Sequence, residues 1–286
     1  MLLTDQQCLE IYRRPRAELI QLAEAHTLTV QAWLSSRSPE AKTFQGRGVR
    51  ASSTGFKIPL LNLALGCNFP EGMDEDEIGA EVEAVKRFFA ERGAPWYWWM
   101  NSEPSPKHIS RILEQRGLVY DDPPLPAMIA PKIQNFATLP TYDRDIHVWR
   151  ANSIADLQSA SKIRRIAFGF KEGEALTYFE DMARDWLSDE SAARLYLAGS
   201  SESDPVSIGA VIHAAGIPGI YVMATLPEHH RKGYGKAALT ALLLDAARME
   251  GDMVALTASS AGAGLYSQFG FRRLFAFDFY SIPDEV

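Results

Sequence analysis

The chain has 286 residues, 47% of them hydrophobic and 23% charged, which excludes collagenous, fibrous and wholly disordered proteins and suggests about two domains. Its 29 basic and 36 acidic residues leave a formal charge of -7, so non-specific nucleic-acid binding is not expected. The two cysteines, Cys8 and Cys67, are too few for a disulfide framework or a cysteine-based zinc site, and they favour a reducing cytoplasm.

The sequence predicts neither a secretory signal nor a membrane span. The N-terminal stretch MLLTDQQCLEIYRRPR reaches a charge at Asp5 and has no apolar signal core. The longest apolar candidate, ALTALLLDAA, is interrupted by Asp245 and has the length of a soluble helix. We therefore expect a soluble, cytoplasmic protein with no membrane or nucleic-acid partner, and the sequence leaves homodimerisation open.

The sequence of the N-terminal half predicts two helices, a loop, and then alternating strands and helices. Residues 5–34 have near-helical apolar spacing, and Pro15 divides them into two helices. The polar residues 35–55 are predicted to form a loop. The predicted elements that follow are a strand within 58–67, a helix over 74–93, a strand over 95–100, a helix over 106–116 and an extended stretch over 118–130.

Two features of this half are given structural interpretations. The acidic run from Asp74 to Glu77 is read as a solvated helix N-terminus rather than a metal site. The aromatic run from Trp96 to Trp99 is read as core or interface, because alternate residues of a strand face opposite sides.

Prolines separate the two halves of the chain. They stand at positions 123, 124, 126, 131 and 140 and favour an extended linker. The boundary is placed near residues 131–143, which predicts domains over 1–135 and 143–286.

The C-terminal half predicts a sheet with crossover helices. The predicted elements are a strand over 145–151, helices over 153–168 and 174–187, strands over 193–199, 206–214 and 219–225, a helix over 235–250, a strand over 253–258, a helix over 263–269 and a strand over 271–282. Ser153 is the predicted N-cap of its helix. Meander strands combined with crossover helices indicate an α/β or α+β fold.

The later part of the N-terminal half repeats this element order. ILEQRGL, residues 112–118, aligns with LYSQFGF, residues 265–271. The sequence therefore indicates an internal duplication. Leu113 stands at the position of Tyr266, so the first copy is expected to have lost its chemistry.

A strand followed by a glycine pair and a long helix is the most informative segment. Gly233 and Gly235 allow a tight turn, and the helix start leaves backbone N–H groups free for an anion such as a pyrophosphate. Arg231 and Lys232 add positive charge there. A Walker A loop is excluded because Ala237 follows Gly235 and Lys236 in place of serine or threonine. The Rossmann pattern fails because Ala238 replaces its third glycine.

Together with a second motif, this segment resembles the GNAT superfamily of acyl-CoA-dependent N-acetyltransferases. The family pattern Q/R-x-x-G-x-G/A is similar to His230–Gly235, approached by Thr225, Leu226 and Pro227. The family pattern L/A-Y-x-x-x-G-F is met by residues 265–271. The resemblance covers about residues 143–282. With the duplication, it implies two GNAT-like units, each a mixed, mostly antiparallel sheet flanked by helices, the first of them degenerate.

The resemblance also implies an acetyl-CoA site. Met223, Ala224 and Thr225 would offer strand backbone to the pantetheine arm. Tyr266 stands where the family has a tyrosine that protonates the departing CoA thiolate. The pyrophosphate would be surrounded by Arg231, Lys232, Gly233, Tyr234, Gly235 and Lys236.

Four departures from the family pattern qualify this implication. His230 replaces the usual glutamine or arginine, and Ser259 replaces an asparagine that often contacts the cofactor. Thr225 stands where a hydrophobic residue is usual. The strands over 219–225 and 253–258 contain no glutamate to act as general base.

Three residues remain as candidates for the general base, namely His213, Asp278 and Tyr221, and none is assigned. The amine can also lose its proton to water. The adjacent His229 and His230 are not read as a metal site, because neighbouring residues of a tight turn do not face one ion easily, and no metal is expected.

The predicted function is N-acetyltransfer from acetyl-CoA, as co-substrate, directly to a small-molecule or peptide amine. Two alternatives stay open. One is a non-catalytic acyl-CoA-binding or regulatory module, favoured by the departures above. The other is an acetyltransferase similar to mycothiol synthases, which share the tandem layout.

Overall fold

The computed structural model describes residues 2–133, 139–174, 176–259 and 262–283, which form two compact units. Unit 1 comprises residues 1–27 and 127–274, and unit 2 comprises residues 28–126 and 275–286. Each unit has a mixed, mostly antiparallel sheet with helices packed against it, so the predicted fold class is confirmed.

Each compact unit takes residues from two separate stretches of the chain. The first residues belong to unit 1, where the Leu3 N–H donates to the Arg273 carbonyl at 2.8 Å and the Tyr12 hydroxyl donates to the Ile129 carbonyl at 3.3 Å. The last residues belong to unit 2. Such long-range pairing leaves no periodic signal in the sequence. The assignment of one domain to 1–135 and another to 143–286 stays a prediction.

Unit 1 contains a six-stranded sheet in the order β5-β10-β9-β8-β7-β6. Its strands are the end of β5 (Val119–Pro131), then β6 (His147–Arg150), β7 (Ala193–Gly199), β8 (Pro205–Ala214), β9 (Ile217–Thr225) and β10 (Met253–Thr257). Its helices are α1 (Asp5–Tyr12), the first part of α2 (Arg16–Ser36), α5 (Ile154–Phe168), α6 (Ala183–Leu187), α7 (Tyr234–Ala246) and α8 (Ala263–Gln268). Among the described pairings between these strands, that of β9 with β10 is parallel and the others are antiparallel.

The strands of unit 2 follow one another in the order β1-β2-β3-β4-β11. These strands are β1 (Lys42–Gln45), β2 (Arg50–Ser53), β3 (Asn62–Leu65), β4 (Tyr97–Trp99) and the later part of β11 (Arg272–Ser281). The helices α3 (Glu75–Ala90) and α4 (Ile109–Gln115) complete the unit. Trp96 and Trp98 are buried in its core, as predicted, and Trp96 stacks on Phe89 with ring centroids 4.6 Å apart.

Capping explains where two of the predicted helices begin. Ser153 accepts from the Asp156 N–H at 3.2 Å and starts α5, as predicted. Asp74 accepts from the Glu77 N–H at 2.8 Å and starts α3, which confirms a helix N-terminus in the acidic run. In both helices the side chain of the third residue accepts a hydrogen bond from the backbone N–H of the N-cap residue.

Three local predictions were wrong. The predicted loop over 35–55 contains β1 and β2, short polar strands whose pairing, rather than an apolar pattern, defines them. The proline-rich stretch forms β5, because proline keeps an extended φ and loses only its own donor. The predicted helix over 174–187 is helical only from Glu180, as a 3-10 turn that continues into α6.

His26, near the middle of α2, packs against the middle of the unit 1 sheet. The side chain is fully buried, and its Nδ1 lies 2.9 Å from the Ala214 carbonyl oxygen. Burial lowers the pKa of His26 to about 4, so the ring is neutral at neutral pH. A Cβ added at Gly219 would overlap His26 Nε2 and would lie 3.0 Å from the Ala255 carbonyl oxygen. The helix approaches the sheet this closely because position 219 has no side chain.

We expect Gly219→Ala to lower the free energy of unfolding by roughly 1–3 kcal/mol, because it overpacks this contact. Gly264→Ala is the matched control, since it adds the same methyl group to α8 in open space and should stabilise the protein by up to about 1 kcal/mol. Urea unfolding midpoints measure both changes. Equal midpoints for the two variants would contradict the tight packing of α2 on β9.

Candidate functional site

A bulge interrupts the pairing of β8 with β9. Ile208 pairs with Ala224 and Ala210 pairs with Tyr221, so two residues, Val222 and Met223, stand opposite Gly209. Val222 has a φ of 46°, which is strained for a β-branched residue. Bulges bend a strand and increase its twist. Strained residues of this kind concentrate at functional sites.

Gly209 makes room for this bulge. A Cβ at position 209 would overlap the Met223 sulfur and lie 2.6 Å from Leu242 Cδ1. The Met223 side chain therefore packs over the glycine and against α7. Sequence reasoning missed the bulge, although a glycine within a strand pattern is the signal that indicates one.

Beyond the bulge, one edge of β9 has no strand partner. Parallel pairing with β10 involves Gly219 and Ile220, and no described pairing continues toward Thr225. On the opposite edge, the Ser207 hydroxyl donates to the Ala224 carbonyl at 2.9 Å and lies 2.8 Å from the Thr225 hydroxyl. The end of β9 is thus held from the β8 side and leaves backbone groups free on the other, where an extended ligand can add as a strand.

A turn leads from this strand to α7. A 3-10 turn spans Pro227–His229, and Arg231 and Gly233 have positive φ values of 60° and 93°. His230, where the family has glutamine or arginine, places its Nε2 2.9 Å from the Thr225 carbonyl oxygen. The histidine thereby ties the turn to the end of β9.

The N-terminus of α7 is open to an anion. No side chain of the described residues caps it, and its first helical bond runs from the Ala237 N–H to the Gly233 carbonyl at 2.9 Å. The preceding N–H groups therefore point out of the helix start, toward which the helix dipole is positive. A Cβ at Gly235 would lie only 3.3 Å from the Thr225 hydroxyl, so the helix start adjoins the strand end.

Three cations surround this helix start. Arg231 and Lys232 are exposed and Lys236 is half-buried. Within the described ranges, no carboxylate forms an ion pair with them. Free N–H groups, a positive helix end and unpaired cations together fit a diphosphate group. The residues predicted to bind the CoA pyrophosphate are therefore brought together here, and their binding role stays a prediction.

Unit 2 lacks such an anion site at the corresponding helix. The N-terminus of α3 is closed by its own carboxylates, because Asp74 and Glu77 cap each other's backbone N–H groups. Glu75 and Asp76 add negative charge to the same turn. Leu113, which aligns with Tyr266, is fully buried. These features agree with the interpretation of a degenerate N-terminal copy.

Tyr266 lies on α8 in the core beneath α7. Its side chain is 8% exposed, and its ring meets Phe271 edge-on with centroids 6.0 Å apart. Burial raises the pKa of Tyr266 to about 12, so its hydroxyl keeps its proton at neutral pH. A Cβ at Gly262 would lie 2.9 Å from Tyr266 Cε2 and 3.4 Å from the Ser259 hydroxyl, so both side chains flank this glycine.

Ser259 has a structural contact of its own. Its hydroxyl accepts a hydrogen bond from the Gly262 N–H at 3.2 Å, at the start of α8. The hydroxyl hydrogen remains able to donate to a ligand. The predicted role of Ser259 in cofactor binding stays a prediction.

The three candidates for a general base are not brought together. His213 lies near the β8–β9 turn, opposite Pro218 and away from the bulge. Tyr221 is buried, with its ring 5.7 Å from that of His26. Asp278 lies in unit 2, where it accepts from the Tyr120 hydroxyl at 3.2 Å.

The described residues contain no group of three or more histidine, cysteine, aspartate or glutamate side chains arranged to hold a metal ion. No helix within the described ranges is long and apolar enough to cross a membrane.

Comparison with protein families matches residues 183–273 to the acetyltransferase (GNAT) domain. Among solved structures, a GCN5-related N-acetyltransferase from Kribbella flavida is 17% identical, with a TM-score of 0.67 over 92% of this chain and 95% of that one. A functionally unknown conserved protein from Staphylococcus epidermidis is 11% identical, with a TM-score of 0.60 over 85% and 93%. A tandem GNAT protein from the clavulanic acid biosynthesis pathway is 11% identical, with a TM-score of 0.57 over 93% and 94%.

Among curated proteins, none matches the chain significantly. The family match and the fold agree on the class of protein. Residues 183–273 match the GNAT acetyltransferase domain, and the chain shares the fold of GNAT proteins, a tandem one among them.

We expect Gly233→Ala to weaken CoA binding about 10-fold or more, because a side chain at a φ of 93° costs roughly 1–2 kcal/mol and displaces the turn before α7. Gly117→Ala introduces the same strain at a φ of 83° in unit 2, in open space. Isothermal titration with CoA compares the two variants. Equal affinities would show that the turn at Gly233 does not bind the diphosphate.

Proposed function

We propose that the protein transfers an acetyl group from acetyl-CoA to the amine of a small molecule or peptide, by direct transfer. The observation that carries this proposal is the meeting of the uncapped, cationic start of α7 with the unpaired edge of β9. The first feature fits a diphosphate and the second fits an extended amide-containing arm, and CoA contains both groups in one molecule.

The chain's own residues would bind and orient this co-substrate. The N–H groups of residues 231–236, with Arg231, Lys232 and Lys236, would bind the diphosphate. The backbone of Met223, Ala224 and Thr225 would hydrogen-bond the arm. When bound, acetyl-CoA would supply a thioester, whose carbonyl is open to attack by an amine. Backbone N–H groups at the bulge would polarise that carbonyl, since preorganised donors are most effective where water is excluded.

Tyr266 would protonate the departing thiolate. The conjugate base of a thiol with a pKa of about 8.5 takes up a proton at neutral pH, so a nearby proton donor assists its departure. Because burial raises the pKa of Tyr266 to about 12, the donor form is present throughout the neutral range. The environment of Tyr266 therefore supports a role as general acid.

The amine would lose its proton to water. The strands β9 and β10 carry no acidic side chain. Tyr221 is on β9 but is buried with its ring against His26, and His213 and Asp278 lie away from the bulge. The neutral amine is then the reactive form, and its fraction increases with pH.

We expect Tyr266→Phe to lower kcat about 10²- to 10⁴-fold while acetyl-CoA binding is retained, because the change removes a proton donor and keeps the ring. Tyr280→Phe is the control, as it alters another buried tyrosine that lies in unit 2. Release of the CoA thiol across an amine panel measures turnover, and titration calorimetry measures binding. Unchanged turnover would remove Tyr266 from the mechanism, and binding without turnover by the native protein would favour a non-catalytic acyl-CoA module.

We expect kcat/KM to rise with pH from 6 to 9.5, because the neutral amine becomes more abundant toward its pKa of about 8–10.4. Tyr266 is the proton donor below its pKa of about 12, so deprotonation of this residue lowers the rate only at higher pH. A pH–rate profile for the native protein and Tyr266→Phe checks this. A fall below pH 9.5 that disappears in the variant would contradict the assignment.

A further inference from the structure

Arg164 on α5 is a buried cation that pairs with no carboxylate of the described residues. Its side chain is 5% exposed, and its Nε and Nη1 have no hydrogen-bond partner among the described residues. Its side chain does hydrogen-bond to Tyr178. Guanidinium groups stay protonated in proteins, so this one cannot avoid the cost of burial by becoming neutral. A buried charge is normally paired, and this one has no acidic partner within the described ranges.

Four aromatic rings enclose the guanidinium. Its Cζ lies 4.1 Å from the ring centroid of Tyr178, which indicates stacking. The rings of Phe168, Phe170 and Phe179 follow at 5.7, 5.8 and 5.9 Å. Cation–π attraction recovers only part of the desolvation cost of a buried charge. The rings also leave the two unpartnered nitrogens with hydrogens to donate to an acceptor.

The nearby acidic side chain is engaged elsewhere. Glu180 accepts a hydrogen bond from the Ser161 hydroxyl, one turn before Arg164 on α5. The same hydroxyl accepts from the Phe179 N–H at 3.2 Å. These bonds fix Glu180 on Ser161, and Glu180 forms no ion pair with the guanidinium. No carboxylate of the described residues is therefore available to Arg164, and an anionic ligand would supply its counter-charge.

The surroundings of Arg164 indicate the rest of the ligand. Phe168 is 41% exposed and Phe170 is half-buried, and their rings lie 5.7 Å apart on the outer side of the guanidinium. They form an apolar lip beside a buried cation. The helix that carries Arg164 packs on β8 and β9, the two strands that form the bulge. The pairing of an apolar surface with a guanidinium suits a carboxylate attached to a hydrocarbon group.

We propose that Arg164 binds the carboxylate of the acyl acceptor, and that the acceptor is an α-amino acid with an apolar side chain. The proposal rests on the acetyl transfer proposed above and specifies its substrate class. Arg164 is a binding residue in this scheme, and Phe168 and Phe170 contact the apolar side chain. The free α-amine of the same molecule is the group that is acetylated.

The test compares amino acids with amines that lack only the carboxylate. L-Phenylalanine and L-leucine are paired with 2-phenylethylamine and isopentylamine, using the full chain and acetyl-CoA. We expect kcat/KM to be about 10- to 100-fold higher for each amino acid, as is typical for a charged hydrogen bond. Arg164→Met should abolish this preference. Lys162→Met removes an exposed positive charge from the same helix and should leave the preference unchanged.

A second variant and a direct binding measurement separate folding from function. Arg164→Lys keeps the charge in the cage and should retain part of the preference even where Arg164→Met does not fold. Calorimetric titration with L-phenylalanine alone tests the carboxylate site without acetyl-CoA. Equal turnover of amino acids and amines, no binding of L-phenylalanine, or an unchanged preference in Arg164→Met would each overturn the proposal. Failure to bind acetyl-CoA would instead overturn the proposed acetyl transfer, and it leaves the L-phenylalanine result interpretable.

Discussion

The candidate site of unit 1 depends on the bulge that sets Val222 and Met223 against Gly209. A β-branched residue at positive φ costs on the order of 1–3 kcal/mol, so the surrounding contacts must hold it. Ser207 bonds the strand on one side, and the absence of a side chain at Gly209 admits Met223 beneath α7. Because the strand bends there, its far edge is not paired with β10. The same distortion thus creates the free edge and directs the strand end to the start of α7.

The start of α7 lacks the stabilisation that a capping side chain usually gives a helix. A capping side chain contributes about 1 kcal/mol, and α7 has none among the described residues, whereas α3 has a full capping box. The buried face of α7 compensates through apolar packing of Leu239, Leu242 and Leu243. Asp245, buried near its end, pairs with Arg194 and accepts from the Tyr196 hydroxyl at 3.0 Å. Packing and this polar network hold the helix, which leaves its N–H groups available to a ligand.

Sequence reasoning located most elements of unit 1 and both motifs, because periodic burial and glycine turns act locally. The helix starts at Ser153 and Asp74 were predictable for the same reason. The pairing of the N-terminal residues with β11 was not, since it depends on long-range contacts such as that between Leu3 and Arg273. The bulge was also not predicted, because it depends on the register between β8 and β9. Gly209 is only a weak signal for it in the sequence. Arg164 gave no signal, because an arginine on an amphipathic helix is normally exposed.

Burial shifts the pKa values of Tyr266 and Arg164 in opposite directions. It raises the pKa of Tyr266, which stabilises the neutral phenol and keeps a proton in place for donation. It lowers the pKa of Arg164, yet a guanidinium starts from so high a value that it stays charged. Tyr266 is therefore neutral in the apolar core, whereas Arg164 is charged there and its burial costs free energy. A charge that no described carboxylate pairs with is stabilised by an anionic ligand, and a carboxylate on the acceptor would supply one each time the amine binds.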